Sequence, residues 1–491
     1  MSIEQAKVLL KKGKPKAAIK HYQKALAKDS NSLLAYLGLG HCLKETKQYD
    51  LAINILLKAI AIHPRSASLH LNLANVYNDL SQLDVAIDYY QKALALNPNY
   101  ALAYNNLANV FKQQQRLAEA ALCYHKAVIL KPDSAEIHHN FAISLETIEQ
   151  FEAALSHYQQ AIALNPDYID AHFNRGLLLF SLAQFEPAWS EHIWRPSKFL
   201  YYKTLEKPFN KKLPLLTNNL QDKTIFLNGE QGLGDELFFL RYAPELKARG
   251  ANIHYRCHIK NASLLSRVSC LDKIISDEKV LFQGKNSLLV GDLPLALAMT
   301  TKAAPPLALS VLPERLEAMR KRLAALGKPP YLAVTWWAGC KPDENSTKPT
   351  FYREIDLTEL GKVLAPIDAT ILILQRNPTE AEINKLTYLV NKPVHDLSAF
   401  NEDLEDMLAL LKLLDDYICV HNTNIHLMAG IAKTARILIP YPPEWRDMKT
   451  GKESPWFKGF KLYRQSSDKS WSQALNDLKR DLRSDDSNIM E

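Results

Sequence analysis

Three segments in the second half of the chain end an apolar run in a polar turn and then open a helix, an arrangement that presents backbone amides and side chains to ligands at a strand end. In TIFLNGEQGLGDELFFLRYAPELKARG the turn is rich in glycine. Gly229, Gly232 and Gly234 let the backbone approach a ligand, and Asp235 at the helix start is either an N-cap carboxylate or a general base at the mouth of a cleft. The spacing is not GxGxxG, and no acidic residue ends a clear second strand about 20 positions on, so a nicotinamide oxidoreductase is excluded. The second segment, YLAVTWWAGCKPDENSTKPTFYREIDLTEL, packs Trp336 and Trp337 and opens into a loop carrying Lys341, Lys348 and Arg353. Such cations either face water or neutralise a departing diphosphate. In the third, DDYICVHNTNIHLMAGI, Asn422, Thr423 and Asn424 cap a helix and leave amides for a phosphate. His426 in its first turn points toward the cleft or into the core.

The first half offers a different chemistry. Asn72, Asn106, Asn140 and Asn174 recur every 34 residues, with Asn75 and Asn109 one helical turn further on. A column of carboxamides either solvates an exposed face or binds a peptide backbone without reading its side chains, because each amide both donates and accepts. These asparagines ride on a 34-residue period that also places Ala18, Ala52, Ala86, Ala120, Ala154 and Ala188, and closes units with Pro64, Pro98, Pro132 and Pro166. Each unit reads as two amphipathic helices, the second stopped by its proline. The pattern resembles the tetratricopeptide repeat, with five full units after an incomplete first. That resemblance implies a right-handed solenoid whose concave face holds an extended polypeptide. The asparagine column resembles the ladder in the repeats of O-GlcNAc transferases. His70, His138 and His172 stand where these repeats place a large packing residue, and none of them suggests a metal.

The elements that must position these residues divide the chain into a solenoid over 1–195, a linker over 196–221 that lacks helical or strand periodicity, and two Rossmann-like α/β lobes over 222–310 and 311–491. The charged helix PERLEAMRKRLAAL lies at the junction of the lobes. A length of 491 residues suits about three domains. The balance of 60 basic and 53 acidic residues, without a clustered basic face, excludes nucleic acid as a partner. No apolar run reaches the roughly 18 residues of a membrane span, since even LLVGDLPLALAM is broken by Asp292. The N-terminus, with its scattered lysines, is not a secretory signal, which places the protein in the cytoplasm. Six cysteines without a CxxC pair argue against both disulfides and zinc.

The stretches GEQGLGDELFFLRYAPELKARGA, TWWAG, LILQ, HNTNIHLMAGIA, PYPPEWRD, SPWF and LYRQ, in that order, resemble the heptosyltransferase-related glycosyltransferases that follow tetratricopeptide repeats in bacteria. The resemblance spans 222–483 and implies a GT-B fold, with the acceptor lobe first, the nucleotide-sugar lobe second and the active site between them. It makes Asp235 the base that deprotonates an acceptor hydroxyl. It gives Asn422, Thr423 and His426 to the diphosphate and Gln375 to the nucleotide; Gly232 and Gly234 of the glycine turn and Lys341 and Arg353 of the polar loop, read from the residues themselves, are further candidate contacts to the sugar donor. The implied reaction is an inverting transfer from a nucleotide sugar, needing neither metal nor cofactor, to a hydroxyl on a protein recruited by the solenoid. A lipopolysaccharide or other glycan acceptor keeps the same chemistry. Heptosyltransferases carry aspartate and threonine where this chain has His421 and Asn422. That departure leaves the donor sugar open, and it would also fit a catalytically silent lobe that only supports a protein-binding scaffold.

Overall fold

The computed structural model describes residues 2–213, 215–230, 232–277, 280–284, 286–301, 303–339 and 352–488, without the side chains of 352 and 484–488. The chain forms two compact units, Met1–Leu178 and Leu179–Glu491.

The first unit is helical throughout and keeps strict register. First helices run Leu33–Glu45, Ala67–Asp79, Ala101–Gln113 and Ala135–Thr147; second helices run Tyr49–Ile62, Leu83–Leu96, Leu117–Leu130 and Phe151–Leu164. Small residues set how closely the helices pack, and Ala52, Ala86, Ala120 and Ala154 are fully buried. Tyr90, Tyr124 and Tyr158 fill the space beside them at 1% exposure or less. His70, His138 and His172 are buried as well, and each places Nε2 on the carbonyl of the proline six residues earlier: Pro64 at 3.3 Å, Pro132 at 3.0 Å and Pro166 at 3.1 Å. These histidines tie the closing turn of one unit to the helix that opens the next. The turn inside each unit also repeats, with Lys47, Ser81, Gln115 and Glu149 all left-handed at φ of 58–61°. No glycine marks those positions, so the sequence gives no sign of them.

The second unit is α/β. Strands β1 (Thr224–Asn228), β2 (Asn252–Arg256), β3 (Lys273–Ile275) and β4 (Ser287–Leu289) form one parallel sheet in the order β3-β2-β1-β4. After the helix Pro313–Leu326 come β5 (Tyr331–Thr335), a short antiparallel pair of β6 (Trp337–Gly339) and β7 (Tyr352–Glu354), β8 (Thr370–Ile373), β9 (Val394–Asp396), β10 (Asp416–Val420), β11 (Arg436–Ile439) and β12 (Lys461–Arg464). Six of these make a second parallel sheet, β12-β11-β10-β5-β8-β9, which is the doubly wound order. Its four central strands, β11, β10, β5 and β8, are buried on both faces, as runs such as YLAVT, TILI and RILI require. Leu332, Val334, Ile371, Ile373, Ile418 and Leu438 share its core with Leu475 and Leu478 of the closing helix Ser472–Asn488.

The segment after residue 195 differs from the irregular stretch expected. Pro196–Thr204 is a helix, opened by a proline that needs no hydrogen-bond partner there. Arg195 and Lys198, 1% and 2% exposed, are buried against the carboxylates of Glu230 and Asp292. The charge that breaks the apolar run at Asp292 is therefore a partner for two buried cations, a pairing local periodicity cannot reveal.

Candidate functional site

In each sheet the chain reverses direction beside its first strand, and doubly wound folds bind ligands at the C-terminal strand ends of such a switch point. The glycine turn follows β1, and His421–Thr423 follows β10, which pairs with β5. Both turns line one cleft of about 640 Å³ together with Arg353, Glu444 and Arg446.

The glycine turn is fixed from behind. Glu230 accepts from Arg195 Nη2 at 2.6 Å and from Gly291 N at 2.8 Å. The helix Leu233–Leu240 then starts with Gly232 as its N-cap, and Asp235 stands one turn in without capping it. Asp235 instead accepts from Arg446 Nη2, whose guanidinium lies over the Trp445 ring. A Cβ on Gly234 would stand 3.3 Å from His426 Cδ2 and 3.5 Å from Thr423 Oγ1, so glycine lets the two helix starts meet. Gly232, by contrast, has no described residue beyond its chain neighbours within 4 Å of where a Cβ would stand, so close approach among the described residues does not explain its identity.

On the opposite side, Asn422 caps the helix Thr423–Gly430. Its Oδ1 accepts from Asn424 N at 2.8 Å, and its Nδ2 donates to Val420 O at 2.9 Å and Tyr417 OH at 3.0 Å. The Asn422 carboxamide is thus committed to the turn, while Thr423 is exposed at the helix start. His426 is 6% exposed and sits between Phe238 and Phe457, and among the described residues its Nδ1 has no hydrogen-bond partner. Burial, then His421, Arg446 and Arg241, push its pKa well below the usual histidine range, so it enters the cleft neutral and not as a cation for a phosphate. Gln375 is fully buried and does not line the cleft. Its Oε1 accepts from Trp336 N at 3.0 Å and Trp337 N at 2.9 Å, and its Nε2 donates to Trp337 O at 3.0 Å, which fixes the turn after β5. Arg353 donates to His421 O at 3.2 Å and pairs with Glu444; burial lowers its pKa, yet it stays a cation at any ordinary pH. Lys341 and Lys348 lie outside the described residues.

Three features at the cleft escaped the sequence reading: Arg446, Glu444 and the contact of His421 with Asp447 behind it. All lie in or contact PPEWRD, a string without periodic signal whose partners are distant along the chain, 211 residues in the case of Asp235 and Arg446. His421 Nδ1 lies 2.7 Å from Asp447 Oδ1, both residues being buried. His421, Glu444 and Asp447 bring one polar atom each within 4.8 Å of one another. Arg353 pairs with Glu444 and the His421 imidazole is hydrogen-bonded to Asp447, so both carboxylates are already engaged within the chain.

In the solenoid the asparagines form ties between units. Asn106 Nδ2 donates to Asn75 Oδ1 at 2.9 Å, Asn140 Nδ2 to Asn105 Oδ1 at 3.1 Å, and Asn72 Nδ2 to Leu37 O at 3.4 Å, while Asn174 Nδ2 lies 3.0 Å from His139 Nε2. Tyr90 and Tyr124 donate to Asn75 and Asn109 from the neighbouring helices. Asn106 lines a polar pocket of about 210 Å³ with Asn75, Asn78, Asn109, Lys44 and Asp79; Asn72, Asn140 and Asn174 do not.

Residues 2–191 match the family described as the cilia and flagella-associated protein 70 C-terminal domain, a tetratricopeptide-repeat profile. No curated protein matches the chain by sequence. Among solved structures, YrrB, titled a TPR protein with an unusual peptide-binding site, is 27% identical, covers 36% of this chain and 91% of its own, and has a TM-score of 0.29. A thermophilic TPR protein of Thermus thermophilus is 19% identical over 35% of this chain and 95% of its own, with a TM-score of 0.33. PilF of Pseudomonas aeruginosa is 20% identical over 42% and 90%, with a TM-score of 0.36. The repeat register, the paired helices and the matched profile make the N-terminal part of this chain a tetratricopeptide-repeat solenoid, followed by an α/β unit with parallel sheets.

Proposed function

We propose that the α/β unit is a glycosyltransferase that moves a sugar from a nucleotide-sugar donor to a hydroxyl on a polypeptide held by the solenoid. The observation that carries this reading is the pair of guanidiniums, Arg353 and Arg446, lining one cleft with the helix start at Thr423 and the glycine turn. Two planar cations beside a helix N-terminus favour a diphosphate, which would take the place of Glu444 on Arg353 and share Arg446 with Asp235. Charge that develops on the departing diphosphate is then stabilised where it forms, so a displacement at the anomeric carbon needs no metal. The acceptor's proton goes to a base in the cleft, a role the family resemblance assigns to Asp235. The polar pocket around Asn75, Asn106 and Asn109 supports the polypeptide part of the reading, since carboxamides and Lys44 suit a peptide backbone.

The test is release of nucleoside diphosphate from a panel of nucleotide sugars by the full chain. Release above background from one sugar donor, increased by protein acceptors, is expected. A panel that stays at background throughout, with no binding, would leave a scaffold built on the repeats.

A further inference from the structure

Asp235 is the base that the family resemblance supplies, but in this cleft its carboxylate is engaged by Arg446. Its Oδ1 is thus directed at a guanidinium and not at an acceptor hydroxyl. A second group has the arrangement a base requires. The His421 Nδ1 is 2.7 Å from Asp447 Oδ1, a carboxylate that only accepts when ionised, so Nδ1 carries a proton and, in the neutral ring, Nε2 is the nitrogen with the lone pair. Among the described residues Nε2 has no hydrogen-bond partner, although the ring is 6% exposed and lines the cleft. A buried polar atom left without a partner calls for one, and in a cleft that partner is a ligand.

We propose that His421, oriented by Asp447, is the general base of the transfer, and that Asp235 serves to hold Arg446. This rests on the transferase reading above. As the acceptor oxygen bonds to the anomeric carbon, its proton passes to His421 Nε2. The bond from that carbon to the phosphate oxygen breaks, and the nucleoside diphosphate leaves with the electron pair. Asp447 stabilises the imidazolium that results, as the orienting carboxylate does in a histidine-carboxylate pair. The charged and titratable groups around the ring are Asp447, Glu444 and Arg446 from 444–447, Arg353 from β7, Asp235 from the first sheet's helix and His426 from its own turn. Bound diphosphate would screen Arg353 and Arg446, which otherwise oppose a second positive charge here.

The experiment measures nucleoside diphosphate binding by calorimetry and nucleotide-sugar turnover for the full chain, His421→Ala and Asp447→Asn. A general base contributes about 10²–10⁴-fold. His421→Ala should therefore lose at least 100-fold in kcat with Kd for the nucleoside diphosphate unchanged within threefold, and added imidazole should restore part of the loss. Asp447→Asn should lower kcat at least tenfold at unchanged Kd, because the wrong tautomer is then allowed. Turnover that survives in His421→Ala and disappears in Asp235→Ala would overturn the assignment and return the role to Asp235. Loss of binding together with turnover in His421→Ala would make His421 a structural residue, and binding without any turnover by the unmodified chain would also overturn it. Absence of both binding and turnover in the unmodified chain would instead overturn the transferase reading on which the assignment stands.

Discussion

At the scale of single residues, what decides a role is the partner, and partners distant in sequence cannot be read from local spacing. Gln375 follows an apolar strand, as a nucleotide contact would, yet its hydrogen bonds go to the Trp336–Trp337 turn and to Arg376 O. Asp292 looks like an accident in an apolar run, and it proves to neutralise Arg195 and Lys198 in a fully buried cluster with Glu230. Removing one member of a buried ion network leaves its partners uncompensated, at a cost of about 3–5 kcal/mol. Asp292→Ala should therefore lower the stability of the α/β unit by about that much, read as a fall in the denaturant midpoint; an unchanged midpoint would mean that the cluster does not hold the glycine turn. His157 makes a second case. Burial, then His138 and His125, lower its pKa to about 4, and its Nδ1 lies 2.9 Å from His138 Nδ1. The unfolded chain takes up this proton near the ordinary histidine pKa of about 6.5. Between those two values the unfolded state binds more protons than the folded one, so stability is full above the upper value and falls as pH drops toward about 4. His157→Gln should flatten the pH dependence of the solenoid's melting temperature across that window, and an identical profile would remove His157 as the cause.

At the scale of elements, the helices of the solenoid were legible because a 34-residue period fixes them several times over. The long strands were legible because unbroken apolar runs such as YLAVT and RILI have few alternatives. β3, β4, β6, β7 and β9 are three residues each, too short for any period to register, and Pro196–Thr204 has only a weak apolar face. The glycine turn and the His421–His426 turn were legible as strand ends, whereas their counterparts Arg446 and Asp447 were not, because tertiary contact alone brings them there. The left-handed turn residues of the solenoid were equally hidden. A non-glycine residue in that region costs about 1–2 kcal/mol, offset in part by the roughly 0.5–1 kcal/mol of extra chain entropy a glycine gives up. Gln115→Gly and Glu149→Gly should each stabilise the solenoid by about 0.5 kcal/mol, measured by thermal unfolding; a lower melting temperature for both would show that their side chains supply more than the backbone loses.

At the scale of the whole molecule, two chemistries occupy two compact units. The solenoid offers carboxamides and a polar pocket, which suit a polypeptide; the α/β unit offers two guanidiniums and a helix start, which suit a diphosphate. None of the helices described is long and apolar enough to cross a membrane. The central claim is that the cleft receives a nucleoside diphosphate on Arg353 and Arg446, and calorimetric titration of the full chain and of Arg446→Ala with a panel of nucleoside diphosphates tests it without knowledge of the acceptor. Selective binding of one nucleotide, weakened at least tenfold in the variant, is the expected result. Heat signals absent for every nucleotide, or affinity untouched by the loss of Arg446, would contradict it.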